Sequence, residues 1–274
     1  MAMDLAANRD DSVLLVTGSS RGIGRAVCEA AGSFGTTVIH GRSLDRLHGL
    51  VDSLRARGRD AFAVAADLAD PEQARGLVDE VCAKTGRIDV LVNNAATTGG
   101  DGFVAADQVA PSAWADNLAV NLTAHFLTSQ AAFGVMSAAG GGQIINISSY
   151  AGVAGFVGLA PYSAAKAGLI ALSRTLAAEW ASSNVRVNCV VLGPVVPDEV
   201  GEKPGSDGSP AAGHRASRSF SWQADVVGTI ARLAEDRHSV LTGALITLDG
   251  CAGVQDFDSM LSLLRKSLHS PAEA

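Results

Sequence analysis

Val13-Leu14-Leu15-Val16-Thr17-Gly18-Ser19-Ser20-Arg21-Gly22-Ile23-Gly24 passes from an apolar run straight into a glycine-rich turn, and a segment of helical period follows. The run is apolar at every position, as expected for a strand covered on both faces. Glycines at such a turn let backbone N–H groups and a helix N-terminus approach a pyrophosphate. The spacing is Gly-x-x-x-Gly-x-Gly, and on its own it is a weak signal that an ordinary strand-to-helix turn also fits.

The rest of the chain repeats the alternation. Seven strands are predicted at Val13–Thr17, Thr37–His40, Ala61–Ala66, Ile88–Val92, Gln143–Ser148, Val185–Leu192 and Ala244–Leu248. Helical periods fall near 23–34, 43–57, 71–85, 112–138, 161–182 and 223–235. This order predicts an α/β fold, a Rossmann-type, doubly wound, parallel seven-stranded sheet with helices on both faces. A length of 274 residues suits a single domain, 1–274, with its core at about 11–253. Two segments break the rhythm. Residues 197–221 are rich in Gly, Ser and Pro and read as a mobile substrate loop, and 255–274 form a tail with Phe257, Met260, Leu261, Leu264 and Leu268 at helical spacing.

Composition excludes several classes. A net charge of −7 leaves no basic excess to neutralise phosphates, so no nucleic-acid partner is expected. No apolar run approaches the roughly 20 residues that span a bilayer, so no membrane partner is expected either. Residues 1–11 lack the order of a signal peptide, and Cys28, Cys82, Cys189 and Cys251 are too scattered for a zinc site or a disulfide scaffold. The expectation is a cytoplasmic protein with reduced thiols and no metal.

The second strand bears on the ligand. NAD-specific sites carry an acid about 20 residues after the glycines, to bond a ribose 2′-hydroxyl. Here Gly41 stands in that place in Val38-Ile39-His40-Gly41-Arg42-Ser43. Arg42 and Arg21 suit a 2′-phosphate, which guanidinium binds bidentately, so NADP(H) is the cofactor expected. The competing reading is two solvated surface arginines.

Tyr162-Ser163-Ala164-Ala165-Lys166 opens a predicted helix, and its i, i+4 spacing puts Lys166 beside the Tyr162 phenol. A nearby ammonium lowers a phenol's pKa, preparing it to exchange a proton with an alcohol or carbonyl. With two tyrosines and four lysines in the chain, chance alone produces such a pair seldom but not never.

Taken together, Thr17–Gly24, Asn93-Asn94-Ala95, Asn121, Ile145-Asn146-Ile147-Ser148-Ser149 and Tyr162-x-x-x-Lys166 resemble the signature of the short-chain dehydrogenase/reductase family, in its usual order, over about residues 11–253. The chain is similar to NADP-preferring, 3-oxoacyl-[acyl-carrier-protein] reductase-like members. The resemblance implies a catalytic tetrad. Ser149 would bond the substrate oxygen, with Ser148 its less well spaced neighbour. Tyr162 would act as general acid or base, Lys166 would lower its pKa and hold the nicotinamide ribose, and Asn121 would anchor a water in the proton relay. It also implies cofactor contacts from Gly18, Ser20, Arg21, Gly22, Ile23, Gly24 and Arg42. Asp67 and Leu68 would flank the adenine, although Asp67 reads equally as a helix cap. Asn94, Ala95 and Ala96 would line the adenosine ribose, and Gly193 and Val195 would edge the nicotinamide.

The implied activity is hydride transfer between NADP(H) and a carbonyl/secondary-alcohol pair, as a ketoreductase. The substrate is a small molecule, free or carrier-bound, and the assembly a homotetramer or homodimer. An NAD-dependent alcohol dehydrogenase and a non-catalytic nucleotide-sensing Rossmann protein are the alternatives. The chain departs from the family pattern at Ala96, at Leu192-Gly193-Pro194, at Pro197 and at Asp249-Gly250-Cys251.

Overall fold

The computed structural model describes residues 11–99, 103–196, 221–236 and 240–249. In chain order the elements are β1 (Val13–Val16), α1 (Gly22–Ala30), β2 (Thr36–Gly41), α2 (His48–Ala56), β3 (Asp60–Ala65), α3 (Pro71–Thr85), β4 (Val90–Asn93) and α4 (Pro111–Leu118). A π-helical segment (Ala119–Thr123) then leads into α5 (Ala124–Ala138), followed by β5 (Gly142–Ser149), α6 (Ala151–Ala154), α7 (Ala160–Trp180), β6 (Val185–Leu192), β7 (Val195–Val196), β8 (Ser221–Trp222), α8 (Gln223–Glu235) and β9 (Leu245–Leu248). Seven strands form one sheet in the order β3-β2-β1-β4-β5-β6-β9, and every pairing is parallel. The expected fold class is thus observed.

Strand alternation distributes the core. Val13, Leu15, Val38, Leu91, Ile144 and Val187 face a layer of α3, α5 and α7. Leu14, Val16, Ile39, Val90, Ile145 and Val190 face α1, α2 and α8. Because consecutive strand residues point to opposite faces, a strand buried twice must be apolar throughout, and β1 is. The strand order reverses between β1 and β4, which opens a crevice at their carboxyl ends, where doubly wound sheets take their ligands.

The helix at 112–138 is continuous but not α throughout. α4 and α5 are separated by the five-residue π segment, which the apolar period does not reveal because the 3.6-residue pattern resumes on either side. Of the two roles left open for Asp67, capping α3 falls to another residue. Asp70, not Asp67, accepts from Glu72 N–H at 2.8 Å and Gln73 N–H at 3.3 Å, with Pro71 in the first helical position. Asp67 instead closes a turn on Ala69 N–H at 3.0 Å.

Of the predicted loop at 197–221, residues 197–220 lie outside the described residues, as do Gly250, Cys251 and the tail at 255–274. The loop's ends are tied: Val195 pairs with Ser221 and Val196 with Trp222 in a two-stranded parallel ladder. Among the described residues no helix is long and apolar enough to cross a membrane.

Candidate active site

Thr17 is the hub on which the glycine turn is built. Its Oγ1 accepts from Asn94 N–H at 2.9 Å and Ala95 N–H at 3.1 Å, while Asn94 Nδ2 donates to Thr17 O at 3.0 Å and Gly18 O at 3.2 Å. The segment after β4 is thereby bound against the turn after β1. This close approach leaves no room for a side chain. A Cβ on Gly18 would lie 2.7 Å from Ala95 Cα, and one on Gly24 would lie 2.6 Å from the Gly18 carbonyl. Gly18 also has φ +66°, a left-handed conformation that costs glycine little. α1 begins at Gly22 with no acidic residue in its first turn and no side-chain cap, so its N-terminal N–H groups are available to an anion. A diphosphate fits this cradle. Ser20 and Ile23 are half-buried along it, and Arg21 is exposed at its rim.

The ends of β2 and β3 lie beside the turn. Gly41 is buried, and a Cβ there would meet Leu47 Cδ2 at 3.1 Å. Arg42 next to it is exposed. Asp67 is exposed and Leu68 buried, one turn beyond β3. His40, to which the sequence reading gave no role, is buried between these turns and bonds to both Gly18 N–H and the Ala66 carbonyl. Its signal in the sequence is a lone histidine at the carboxyl end of a buried strand, directly after Val38 and Ile39.

Across the crevice, β5 ends in Ser149 and α7 brings Tyr162 and Lys166 beneath it. The Ser149 side chain lies beside the Tyr162 phenol. Burial raises the Tyr162 pKa, and the neighbouring Ser149 opposes it in part. Lys166 is not among the causes of this shift, since its ammonium is engaged with a main-chain carbonyl. Lys166 Nζ donates to the Ile147 carbonyl at 2.9 Å and lies 5.7 Å from the Tyr162 ring centroid. Lys166 is only 1% exposed, and desolvation pushes its pKa down to about 8. Ser148 faces away from Tyr162, its hydroxyl donating to the Lys166 carbonyl at 2.9 Å, so Ser149 is the serine on the crevice side.

Asn121 sits at the centre of the π segment, fully buried. Its Nδ2 donates to Thr97 O at 2.7 Å and Asn117 Oδ1 at 2.6 Å, and its Oδ1 accepts from Thr97 N–H at 3.1 Å. Its side chain therefore fastens the loop after β4 to the helix. A buried polar ladder runs under the sheet: Thr128 Oγ1 to Asn93 Oδ1, Asn93 Nδ2 to Asn146 Oδ1, and Asn146 Nδ2 to Ser173 Oγ, each at 2.8–2.9 Å. His125 packs in the interior beside it, at 2% exposure.

The short chain dehydrogenase family pattern matches residues 12–205. The chain belongs to the short-chain dehydrogenase family.

It is 33% identical over 238 residues to the 3-oxoacyl-[acyl-carrier-protein] reductase FabG of Staphylococcus aureus, covering 86% of this chain and 96% of that one. Among solved structures it resembles a protein assigned as an NAD(P)-dependent gluconate 5-dehydrogenase from Beutenbergia cavernae, with NADP bound at low occupancy. That match has TM-score 0.76 and 34% identity, with 89% and 97% of the two chains covered. An NAD+-bound xylitol dehydrogenase matches with TM-score 0.77 and 27% identity, over 89% of this chain and 99% of that one. This short-chain dehydrogenase is therefore an oxidoreductase that uses a nicotinamide cofactor on a CH–OH/C=O pair.

Its departures from the family pattern have a structural setting. Leu192, unlike a proline, continues β6 to the register pair Leu192 with Leu248, and its carbonyl accepts from Tyr150 N–H at 2.8 Å. Gly193 N–H donates to Leu248 O at 3.0 Å, and a Cβ there would lie 2.7 Å from Asp249 Cα, so only glycine fits. Val195 is half-buried just beyond, at the start of β7, and Ala96 is exposed on the crevice side of β4.

Proposed function

We propose that this short-chain dehydrogenase reduces a ketone on a small molecule, free or carrier-bound, to the secondary alcohol with NADPH. The observation that carries the reading is Ser149 beside Tyr162 with Lys166 buried behind them, its ammonium 5.7 Å from the Tyr162 ring centroid, across the crevice from the glycine turn. Ser149 holds the carbonyl oxygen. The Tyr162 hydroxyl delivers the proton to that oxygen as negative charge develops on it, and the Lys166 ammonium steadies the phenolate left behind. A phenol kept protonated by burial suits the reductive direction, in which tyrosine must give a proton. When bound, the dinucleotide supplies the hydride. Gly18, Ser20, Arg21, Gly22, Ile23 and Gly24 hold its diphosphate, Asp67 and Leu68 its adenine, Asn94, Ala95 and Ala96 its ribose, and Gly193 and Val195 its nicotinamide. Since the Asn121 amide is committed to Thr97 and Asn117, we assign the relay water to its main-chain carbonyl.

NADPH is preferred on two grounds. Buried Gly41 leaves no acid to meet a 2′-hydroxyl, and exposed Arg42 and Arg21 can meet a 2′-phosphate. Likeness to the NAD+-bound xylitol dehydrogenase favours a second reading, NAD-dependent alcohol oxidation. A panel of β-ketothioesters, cyclic ketones and keto-sugars assayed with each cofactor separates them. The Arg42→Ala variant should lose about ten- to a hundredfold in kcat/KM with NADPH and almost nothing with NADH. A wild type that favours NADH, with no effect of Arg42→Ala, would refute the NADPH assignment. We further propose a homodimer or homotetramer formed through α5 and α7.

A further inference from the structure

His40 ends the apolar part of β2 one residue before Gly41-Arg42 and is only 2% exposed. Both of its ring nitrogens are engaged. Nδ1 accepts from the Gly18 N–H at 3.1 Å, and Nε2 lies 3.1 Å from the Ala66 carbonyl. A neutral imidazole has one donor and one acceptor. An acceptor at Nδ1 requires the proton on Nε2, so the two contacts specify a single tautomer. The main chain is tied in the same way. His40 N–H donates to Ser19 Oγ at 2.9 Å, Ser19 N–H donates to His40 O at 2.8 Å, and Ala66 N–H donates to Gly41 O at 3.1 Å. One side chain thus spans the turns that follow β1 and β3, from the strand between them.

We infer that His40 is a positioning residue for the dinucleotide: its neutral ring sets the spacing between the glycine turn that takes the diphosphate and the Asp67-Leu68 turn that flanks the adenine, with Gly41-Arg42 held between them. The inference rests on the cofactor site proposed above. An apolar side chain could fill the same volume, but it would leave the Gly18 N–H and the Ala66 carbonyl without partners in a buried place. Burial pushes the His40 pKa down to about 4, against smaller opposing effects of the Ala66 bond and Asp67. The ring therefore stays neutral near pH 7, and Gly18 keeps its acceptor.

Two conservative variants divide the two bonds. In His40→Asn the amide oxygen falls near the place of Nδ1 and still serves Gly18, while Ala66 loses its donor. In His40→Gln the amide reaches the place of Nε2 and still serves Ala66, while Gly18 loses its acceptor. Each forfeits one of the ring's two bonds, so both should lower the melting temperature. Cofactor affinity, read by fluorescence titration with NADPH, should not follow stability. The dissociation constant and KM for NADPH rise about tenfold in His40→Gln and less than about threefold in His40→Asn, with kcat at saturating NADPH near wild type in both. Equal NADPH affinity in the two variants, or affinity that falls only in step with melting temperature, would overturn the inference and leave a packing role. Wild-type protein that bound neither NADPH nor NADH would overturn the cofactor reading itself, and the inference with it.

Discussion

Lys166 shows how far the site's chemistry departs from what stability alone would choose. Desolvation holds its pKa near 8, so at neutral pH the fold carries a buried ammonium whose main hydrogen bond is to Ile147 O. The cost is on the order of 3 kcal/mol. Its sign follows from a lowered cationic pKa. The penalty is complete below about pH 8, where folded and unfolded chains are both charged, and it vanishes toward the ordinary lysine range, where both are neutral. Lys166→Met removes it, so the variant should melt at or above the wild-type temperature at pH 7. That advantage should close as pH rises through 8 to about 10.5, and turnover should be lost throughout. Tyr162→Phe makes the complementary separation: turnover falls about a hundredfold or more while NADPH affinity is retained. A Lys166→Met protein that melted well below wild type at pH 7 would show that the Ile147 bond outweighs the desolvation.

At this scale the sequence was legible wherever a residue's partner lay a fixed number of positions away. Tyr162 and Lys166 are one helical turn apart, and they do share a site. It was not legible where a residue's surroundings come from distant strands. The Tyr162 pKa moves up, not down, because burial exceeds any pull from an ammonium that has found a carbonyl from β5. His40 was passed over for the same reason: its partners, Gly18 and Ala66, belong to two other turns.

Among the elements, strands were read more faithfully than helix interiors. A strand covered on both faces announces itself by uninterrupted apolar residues, as β1 does. The π segment hides because one extra residue per turn leaves the apolar faces of α4 and α5 in place, and only the backbone hydrogen bonds show it. That extra residue is what turns Asn121 inward to grip Thr97 and Asn117. Capping was left open as one of two roles for Asp67; Asp70 holds the cap of α3, and Pro71 after it was the available clue. Asp70→Ala should lower stability through loss of the cap, and Asp67→Ala should cost clearly less. Urea denaturation of the two variants checks the order, and the reverse order would return the capping role to Asp67.

For the molecule as a whole, the outer faces of two helices bear on assembly. α5 exposes Gln130, Gly134 and Ala138, and α7 exposes Ala164, Ala167, Ala171 and Ala178. Small residues at three- and four-residue spacing let helix backbones come close, and symmetric pairing is the common way such faces are covered. Light scattering at assay concentration should give the mass of two or four chains. Introducing bulk and charge with Ala171→Glu should shift the protein toward monomers, and a wild-type protein that is monomeric would end the proposal.

The all-parallel sheet has a consequence for how the chain is made. Among the described residues no strand meets its neighbour through a hairpin, and the nearest pairing in sequence is already that of Val13 with Thr36. Loop closure therefore precedes every ladder, which places this topology among the slow folders. Yet the strand order is kind to a growing polypeptide. β1, β2 and β3 can assemble as soon as residue 65 has left the ribosome, and β4, β5, β6 and β9 then join one after another on the opposite edge. Until Val90–Asn93 emerges, the open side of β1 offers unpaired N–H and C=O groups to any passing strand. Nascent chains stalled between β3 and β4 should thus be the species most in need of a chaperone, and the most prone to aggregate without one.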